Sequence, residues 1–461
     1  MKYLINLLFL FPFVGFSQVT TFDKLYTNGH IACAVIPNSQ GYVVAGNSNN
    51  QDYWLFQTNL QGNILWEKTY GLHYGIVDAS FLRSAVKAKD NGYFLAGYSY
   101  SMLDSNWQKP YGYIVKTDSS GNKQWDIALH TTYDSTMMNY IYSVTTTKDG
   151  GCLITGEIYL SYQDTCPVVD TTQYGIYIVK LSESGLVEWE KRYPYGLGTP
   201  IYREVVELGG QQGYMMAYCT RYAKKCAIFR IDINGDTLWQ KIFVPSNYDS
   251  TQYYSFGNIT QTPDNNYLAS GGVLVKIDIN GNVLWQNDAG KGKVVAVDNS
   301  LYACSGSNLY KLDENNGNEV WSKDMGVPIK DFSKTADGGF IILTVQGLSA
   351  VRLLKTDCEG NIINPINCIT VINAGAELLY LFLYPNPSDN KFMLEVGEIG
   401  NYEVQILDVQ GKMQQSQVFS NNNEYEFGTE NLAEGIYILQ VKNMQTNQVS
   451  QLKLIKKSME H

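Results

Sequence analysis

A four-part unit recurs along most of this chain, and a chain built that way has few ways to fold. In its clearest copy, Ser84-Ala85-Val86-Lys87-Ala88 leads through Lys89-Asp90-Asn91-Gly92 into Tyr93-Phe94-Leu95-Ala96-Gly97. After a variable loop, Tyr113-Ile114-Val115-Lys116-Thr117-Asp118 leads through Ser119-Ser120-Gly121-Asn122 into Lys123-Gln124-Trp125. The pattern is strand, tight turn, strand, loop, strand, tight turn, strand. Gly and Asn at the turns accept the positive φ that tight hairpins need. The first turn recurs at Gly41, Gly92, Gly151, Gly213, Asn266, Ser300 and Gly339, and the second at Gly62, Gly121, Gly185, Gly235, Gly281, Gly317 and Gly360. A Trp stands four residues after the second turn's Gly in six copies: Trp66, Trp125, Trp189, Trp239, Trp285 and Trp321. Repeats of this kind bury their apolar faces against one another, so the array and not the single unit is what folds. Seven four-stranded units predict an all-β chain with a seven-bladed β-propeller.

The two ends of the array fit together. The seventh copy, at Asp357-Cys358-Glu359-Gly360-Asn361, has no Trp and no clear fourth strand. Near the N-terminus, Phe22-Asp23-Lys24-Leu25-Tyr26 has no unit of its own and aligns with Trp66-Glu67-Lys68-Thr69-Tyr70. The N-terminal strand is therefore expected to complete the last blade and leave no open sheet edge at the array's end.

The repeat Asp-x-x-x-Gly-x-x-x-Trp, clearest from Asp313 through Gly317 to Trp321, resembles that of the quinoprotein-like propellers. In that family the Trp docks on the neighbouring blade, and a large flat ring once per blade suits such a wedge. The family's vicinal Cys pair is missing, as is any evident metal-and-cofactor constellation, so its redox activity does not carry over. No cofactor and no metal are expected.

Ahead of the repeats, Met1-Lys2-Tyr3 and the apolar run Leu4 to Phe16 end at Ser17-Gln18. A positive start, a short apolar stretch and small residues at Gly15 and Ser17 make residues 1–17 a signal peptide, too short to span a bilayer easily. No other segment is apolar enough to cross a membrane as a helix. Export opens the 8 cysteines to oxidation. Cys219 and Cys226 bracket a hairpin tip, Cys358 and Cys368 sit near the end of the repeats, and Cys33, Cys152 and Cys304 read as buried thiols. Net charge is −10 with no basic run, which argues against nucleic acid as a partner.

After a linker at 369–379 the pattern changes. Tyr384-Pro385-Asn386-Pro387 opens a set of short alternating strands, with a turn at Asp408 to Gly411-Lys412, the segment Leu432 to Gly435-Ile436-Tyr437, and the ending Lys453-Leu454-Ile455-Lys456. Alternation punctuated by turns predicts a small antiparallel β-sandwich. These motifs, including Asp408, Gly411, Gly435, Tyr437, Lys453 and Lys456, resemble the C-terminal sorting domain of the type IX (Por) secretion system. The resemblance covers 380–461 and implies export through the type IX machinery, by way of the periplasm, to the outer cell surface or the medium. The propeller would then occupy 18–368.

No residue is singled out as catalytic. The four His (His30, His73, His130 and His461) lie in no metal-ligand spacing, and no nucleophile or phosphate-loop motif is present. Asp232-Ile233-Asn234-Gly235-Asp236 suggests calcium, but the twelfth position holds Phe243, so it reads as a turn. Two long loops join second and third strands: Ser99 to Gly112, with Tyr100, Trp107 and Tyr111, and Tyr159 to Tyr174, with Tyr162. Aromatics so placed suit stacking on sugars or packing on a protein surface. The leading expectation is an adhesin-like propeller binding a glycan or protein. The alternative is a secreted hydrolase or lyase on the same scaffold.

Overall fold

The computed structural model describes residues 20–457 outside the segments 73–76, 104–105, 108–109, 130–136, 161–173, 195–199, 210–211, 221–224, 247–255, 298–299, 347–349, 363–380, 385–390, 409–411 and 446–448. The chain divides into two compact units, one running Val19–Thr335 and Gly339–Ile366, the other holding the strands of the C-terminal module. Every regular element among the described residues is a β-strand.

The chain enters on β1 (Phe22–Tyr26). Blade 1 is β2 (Gly29–Asn38), β3 (Gly41–Ser48), β4 (Tyr53–Asn59) and β5 (Ile64–Tyr70). Blade 2 is β6 (Val77–Lys87), β7 (Tyr93–Leu103), β9 (Tyr111–Thr117) and β10 (Lys123–Leu129), with the short β8 (Asn106–Trp107) beside β7. Blade 3 is β11 (Met137–Thr146), β12 (Cys152–Leu160), β13 (Tyr174–Leu181) and β14 (Val187–Pro194). Blade 4 is β15 (Pro200–Glu207), β16 (Tyr214–Thr220), β17 (Lys225–Ile231) and β18 (Thr237–Phe243). Blade 5 is β19 (Phe256–Gln261), β20 (Tyr267–Gly271), β21 (Leu274–Ile277) and β22 (Val283–Asn287). Blade 6 is β23 (Val294–Val297), β24 (Ser300–Ser305), β25 (Asn308–Leu312) and β26 (Glu319–Asp324). Blade 7 is β27 (Asp331–Lys334), β28 (Phe340–Gln346) and β29 (Ala350–Thr356), completed by β1.

Seven sheets of this kind are a seven-bladed propeller. The second and third strands of blade 1 are buried up to the terminal Asn59, whereas β5 is mostly exposed, so each blade runs from the axis outward in chain order. First strands of neighbouring blades touch one another from β27–β2 round to β19–β23. There is no single core. Seven apolar clusters straddle the seven blade interfaces, as a repeat array requires.

The recurrent Trp explains how blades lock at the rim. Five of the six rings lie on the second-turn glycine of the next blade, the exception being Trp321: a Cβ would come within 2.5 Å of Trp66 at Gly121, 2.8 Å of Trp239 at Gly281 and 2.7 Å of Trp285 at Gly317. These glycines also hold positive φ, 76° at Gly121 and 74° at Gly281, so both the turn and the wedge demand them. The residue two beyond the Trp bonds the same turn, as in Lys241 Nζ to Gly281 O (2.8 Å) and Lys323 Nζ to Asn361 Oδ1 (3.0 Å). Four beyond, Tyr70 donates its hydroxyl to Gly121 O and Tyr193 to Gly235 O. The turn's leading Asp is consumed locally: Asp232 Oδ1 accepts the Asn234 and Asp236 N–H groups, which is the turn reading of that segment.

β1 repeats the clasp at the closure. It runs antiparallel to β29, Phe22 opposite Lys355 through Tyr26 opposite Val351. Phe22 takes the Trp position, packing on Gly62, and Tyr26 donates to Gly62 O at 2.7 Å. Arg352 holds Asp23 through both nitrogens, at 2.7 and 2.5 Å. The ring is closed by its two ends.

A buried lysine on the third strand fixes the first turn of the same blade. Lys116 reaches Asp90 (2.6 Å), Lys180 reaches Asp149 (2.8 Å) and Lys276 reaches Asp264 (2.8 Å). Burial opposes the carboxylate charge, but the lysine contacts win and hold Asp90, Asp149 and Asp264 below the ordinary range. Of the cysteines, Cys33, Cys152 and Cys304 are free thiols, Cys219 lies in register opposite Cys226, and Cys368 lies outside the described residues.

The C-terminal module comprises β30 (Leu381–Tyr384), β31 (Lys391–Asp408), β32 (Met413–Gly428), β33 (Gly435–Asn443) and β34 (Val449–Lys456). The long strands β31 and β32 pair over two stretches, and the register breaks between Glu395, Gly400 and Tyr402. Bending there turns one sheet back on itself. Phe392, Leu394 and Val396 from before the bend share a core with Tyr402, Val404 and Ile406 from after it. Two layers over one core are the small antiparallel sandwich expected.

Candidate functional site: a polar ring at the propeller axis

The innermost strands carry bulges at one common height. Cys33, Arg83, Tyr142 and Gly257 are the extra residues where β2, β6, β11 and β19 slip against their partners. A bulge pushes a carbonyl toward the second strand, and the residue facing it is Gly46, Gly97 or Gly156. A Cβ at Gly97 would lie 2.0 Å from Phe81 O, so only glycine fits.

Just past the bulges, polar groups join every blade to the next. Between blades 7 and 1 the Val35 N–H donates to Asp331 Oδ2 (2.8 Å). Between 1 and 2, Asn47 donates to Ser80 O (2.5 Å) and accepts from the Leu82 N–H (3.2 Å). Between 2 and 3 the Val144 N–H reaches Ser84 Oγ (3.3 Å), and between 3 and 4 Thr145 Oγ1 donates to Val205 O (2.9 Å). Between 4 and 5 Asn258 donates to Glu204 Oε2 (2.5 Å), and its Oδ1 accepts from the Val294 N–H of blade 6 (3.2 Å). Lys293 to Asp331 (2.5 Å) closes the ring between 6 and 7. Such groups are favourable at the axis only when satisfied, and these are.

The charges are unequal in their commitments. Both Asp331 oxygens are taken, one by a backbone N–H and one by Lys293. Burial disfavours charge on Lys293, but Asp331 and Glu204 outweigh it and hold the ammonium above the ordinary lysine range. Burial lifts Glu204 above the usual glutamate range against the pull of Lys293 and Asn258. Burial, with Asp331 adding, also pushes the Cys33 thiol up to about 12 and Cys304 up to about 11, so both stay protonated and unreactive at neutral pH. Arg83, exposed on its bulge, differs. Its guanidinium lies 5.1 Å from the Tyr98 ring centre and donates to the Tyr98 hydroxyl at 2.5 Å, and among the described residues no carboxylate pairs with it.

Arg83 borders a tyrosine cluster between blades 2 and 3. Tyr98 packs edge-on to Tyr140 at 4.8 Å and 75°, Tyr140 stacks with Tyr142 at 6.4 Å and 19°, and the Tyr100 and Tyr140 hydroxyls are 2.7 Å apart. The expected Ser99-to-Gly112 loop is largely strand, since β7 runs on to Leu103 and β9 begins at Tyr111; the cluster lies toward the end of β7 that leads on to β8 and β9, so it faces the mouth of the axis where that connection lies.

Of the aromatics singled out from sequence, Tyr100 belongs to this cluster. Tyr111 sits on β9 against the apolar core of blades 1 and 2, and Trp107 is on β8, opposite Met102. Tyr162 lies outside the described residues, as do Pro385, Asn386, Pro387 and Gly411. Tyr384 ends β30, and Asp408 accepts the Lys412 N–H at 2.9 Å in its turn. Gly435 opens β33 opposite Lys456, Tyr437 is buried with its hydroxyl on Ala433 O (2.9 Å), and Lys453 pairs with Ile438. Arg83, Tyr98, Tyr140, Tyr142, Glu204, Asn258, Lys293 and Asp331 were not anticipated. Each is one residue in one copy, so the repeat hides it. The available signal was polarity out of place, such as Glu204 before Val205-Val206 on a strand with two partners' worth of packing.

Residues 382–457 match the family described as the secretion system C-terminal sorting domain. The C-terminal module is thus a sorting domain of the Por type, which implies export by type IX secretion to the cell surface or extracellular space. No curated protein sequence matches the chain. Among solved structures it is similar to BamB from Moraxella catarrhalis, at 10% identity over 95% of this chain and 100% of that one, TM-score 0.39. It is similar also to the Dos1 propeller, at 11% identity over 73% and 94% of the two chains, TM-score 0.44. A third is Kuenenia stuttgartiensis hydrazine synthase, at 10% identity over 72% and 96%, TM-score 0.46.

Proposed function

We propose that this is an adhesin-like binding propeller, exported by the type IX route and engaging a glycan or protein at its loop-bearing axial mouth. The observation that carries the reading is the Arg83–tyrosine cluster, where aromatic faces, hydroxyls and a cation with no ion-pair partner among the described residues meet on a rigid scaffold. Tyr100, Trp107 and Tyr162 are the loop-side contacts of this reading, while Tyr111, packed on the core of blades 1 and 2, supports them from beneath. A hydrolase is less well supported: of the acids about the ring and cluster, Asp331 has both oxygens engaged in holding blades together, Glu204 accepts from Asn258 and Glu157 from Tyr142, so each is tied into the scaffold and not paired with another for two-carboxylate chemistry. In this reading the signal peptide (1–17) takes the chain into the periplasm, and the module from 380 onward carries it, with the 18–368 propeller, past the outer membrane. Screening the mature chain on a glycan array beside a broad hydrolase panel tests the reading. Binding without turnover supports it, and turnover without retained binding opposes it.

A further inference from the structure

We infer that the ligand at the axial mouth is an acidic saccharide, its carboxylate held by Arg83 and its ring laid against the Tyr98–Tyr140–Tyr142 aromatics. The inference rests on the binding reading above and deepens it. Arg83 is exposed, on an innermost strand, and pinned in place by the Tyr98 ring and hydroxyl rather than by a carboxylate. A guanidinium fixed in orientation has a fork of donors left over for a planar, two-oxygen acceptor, and it loses little freedom on binding. The other cation of the ring, Lys293, is committed to Asp331, so among the described residues of the ring an incoming anion finds one open positive group and not two. The carboxylate that touches this cluster, Glu157 on β12, is buried and already accepts from the Tyr142 hydroxyl at 3.4 Å.

The rest of the ligand follows from what surrounds Arg83. Stacked and edge-on tyrosines offer flat faces for the C–H side of a pyranose, and their hydroxyls match a ring of alcohols. An acidic peptide is the competing class. It would need an open strand edge or an apolar groove beside the cation. At the mouth the first strands already converge on one another, and the groups presented are hydroxyls and rings.

The test uses the mature full-length chain and two probes, tetragalacturonate and sialyllactose, each compared with its carboxyl methyl ester by calorimetry. The esters keep size and hydroxyls but lose the charge. Binding of at least one acid, with a loss of about tenfold or more on esterification and in Arg83→Gln, is the expected result, a charge-assisted hydrogen bond being at stake. Arg83→Lys should fall between. Should Arg83→Gln unfold, the acid-to-ester ratio on the unaltered chain decides alone. Equal binding of acid and ester, or binding of neutral glycans only, overturns the acidic ligand and leaves the binding module standing. Binding of a hexaglutamate peptide but no sugar overturns the saccharide class in the same way. Failure of every probe and every arrayed glycan overturns the acidic saccharide together with the glycan arm of the binding reading.

Discussion

Tyr26 offers the cleanest test of ring closure, because Tyr70 is its interior counterpart. Both are buried (6% and 7% exposed), and each donates its hydroxyl to the turn carbonyl of the following blade, Gly62 or Gly121. Tyr26 also packs on Phe56 at 4.8 Å. Truncating a buried aromatic to Ala costs about 3–5 kcal/mol; removing only the hydroxyl leaves the Gly62 carbonyl without its donor, at about 1 kcal/mol. In a closed ring, Tyr26→Ala should therefore cost about as much as Tyr70→Ala, with Tyr26→Phe taking roughly a quarter of it. In an open array Tyr26 would belong to a fraying end, and its loss would cost little. Urea denaturation of the mature chain, followed by tryptophan fluorescence, reads both midpoints. A Tyr26→Ala midpoint equal to that of the unaltered protein, alongside a clear drop for Tyr70→Ala, would show that β1 does not close the ring.

Trp239 is half-buried, so Trp239→Ala should cost about 2 kcal/mol, below the fully buried value. Gly281→Ala forces a Cβ to 2.8 Å from that ring and should destabilise too, but less in the Trp239→Ala background; additive losses by thermal melts would disprove the wedge. Lys180 is 2% exposed while its partners Asp149 and Glu188 are 54% and 44% exposed, so Asp149→Ala combined with Glu188→Ala, which strands a buried cation, should destabilise more than Lys180→Met, and the reverse order in urea would refute the assignment. Because Asp90, Asp149 and Asp264 are held low, their contribution is present above pH about 4 and drains away as pH falls further; an acid limb unchanged in Lys180→Met would contradict this. Glu204 has the opposite sign: its raised pKa means that its contribution is full below the ordinary glutamate range and is lost as pH rises above it, so Glu204→Gln should flatten that part of the stability-against-pH curve. Truncation near Ala376 should leave a folded propeller in the periplasm, and normal surface display of that product would defeat the export assignment.

The architecture was legible because its signals are repeated. Gly121, Gly235 and Gly281 read as turn residues, Trp66 and Trp239 as wedges, and Phe22 to Tyr26 as a displaced copy of Trp66 to Tyr70. Each reads the same in the structure for the same physical reason, positive φ or a flat ring. The lysines of the third strand were equally periodic but went unread, since Lys116 and Lys180 look like surface residues until Asp90 and Asp149 are known to fold back onto them. The axial site was hidden for another reason. A bulge breaks the two-residue alternation, so Arg83 and Tyr142 fall out of phase where orientation matters most. Tyr100 reads as a loop residue in the sequence and proves to lie inside β7, paired with Ala79.

The pairing of β1 with β29 also orders events in time. Asp23 and Arg352 are 329 residues apart in the chain. Bringing such distant segments together costs on the order of 5 kcal/mol in chain entropy, paid before any contact returns it. The ring therefore shuts last, once nearly all of the propeller has been synthesised and delivered. The sorting module follows blade 7 along the chain, so a polypeptide broken off during synthesis lacks the tail as well as the closing partner. A secretion apparatus that reads the tail thereby handles only chains in which every blade is present, and position alone serves as a check on completeness.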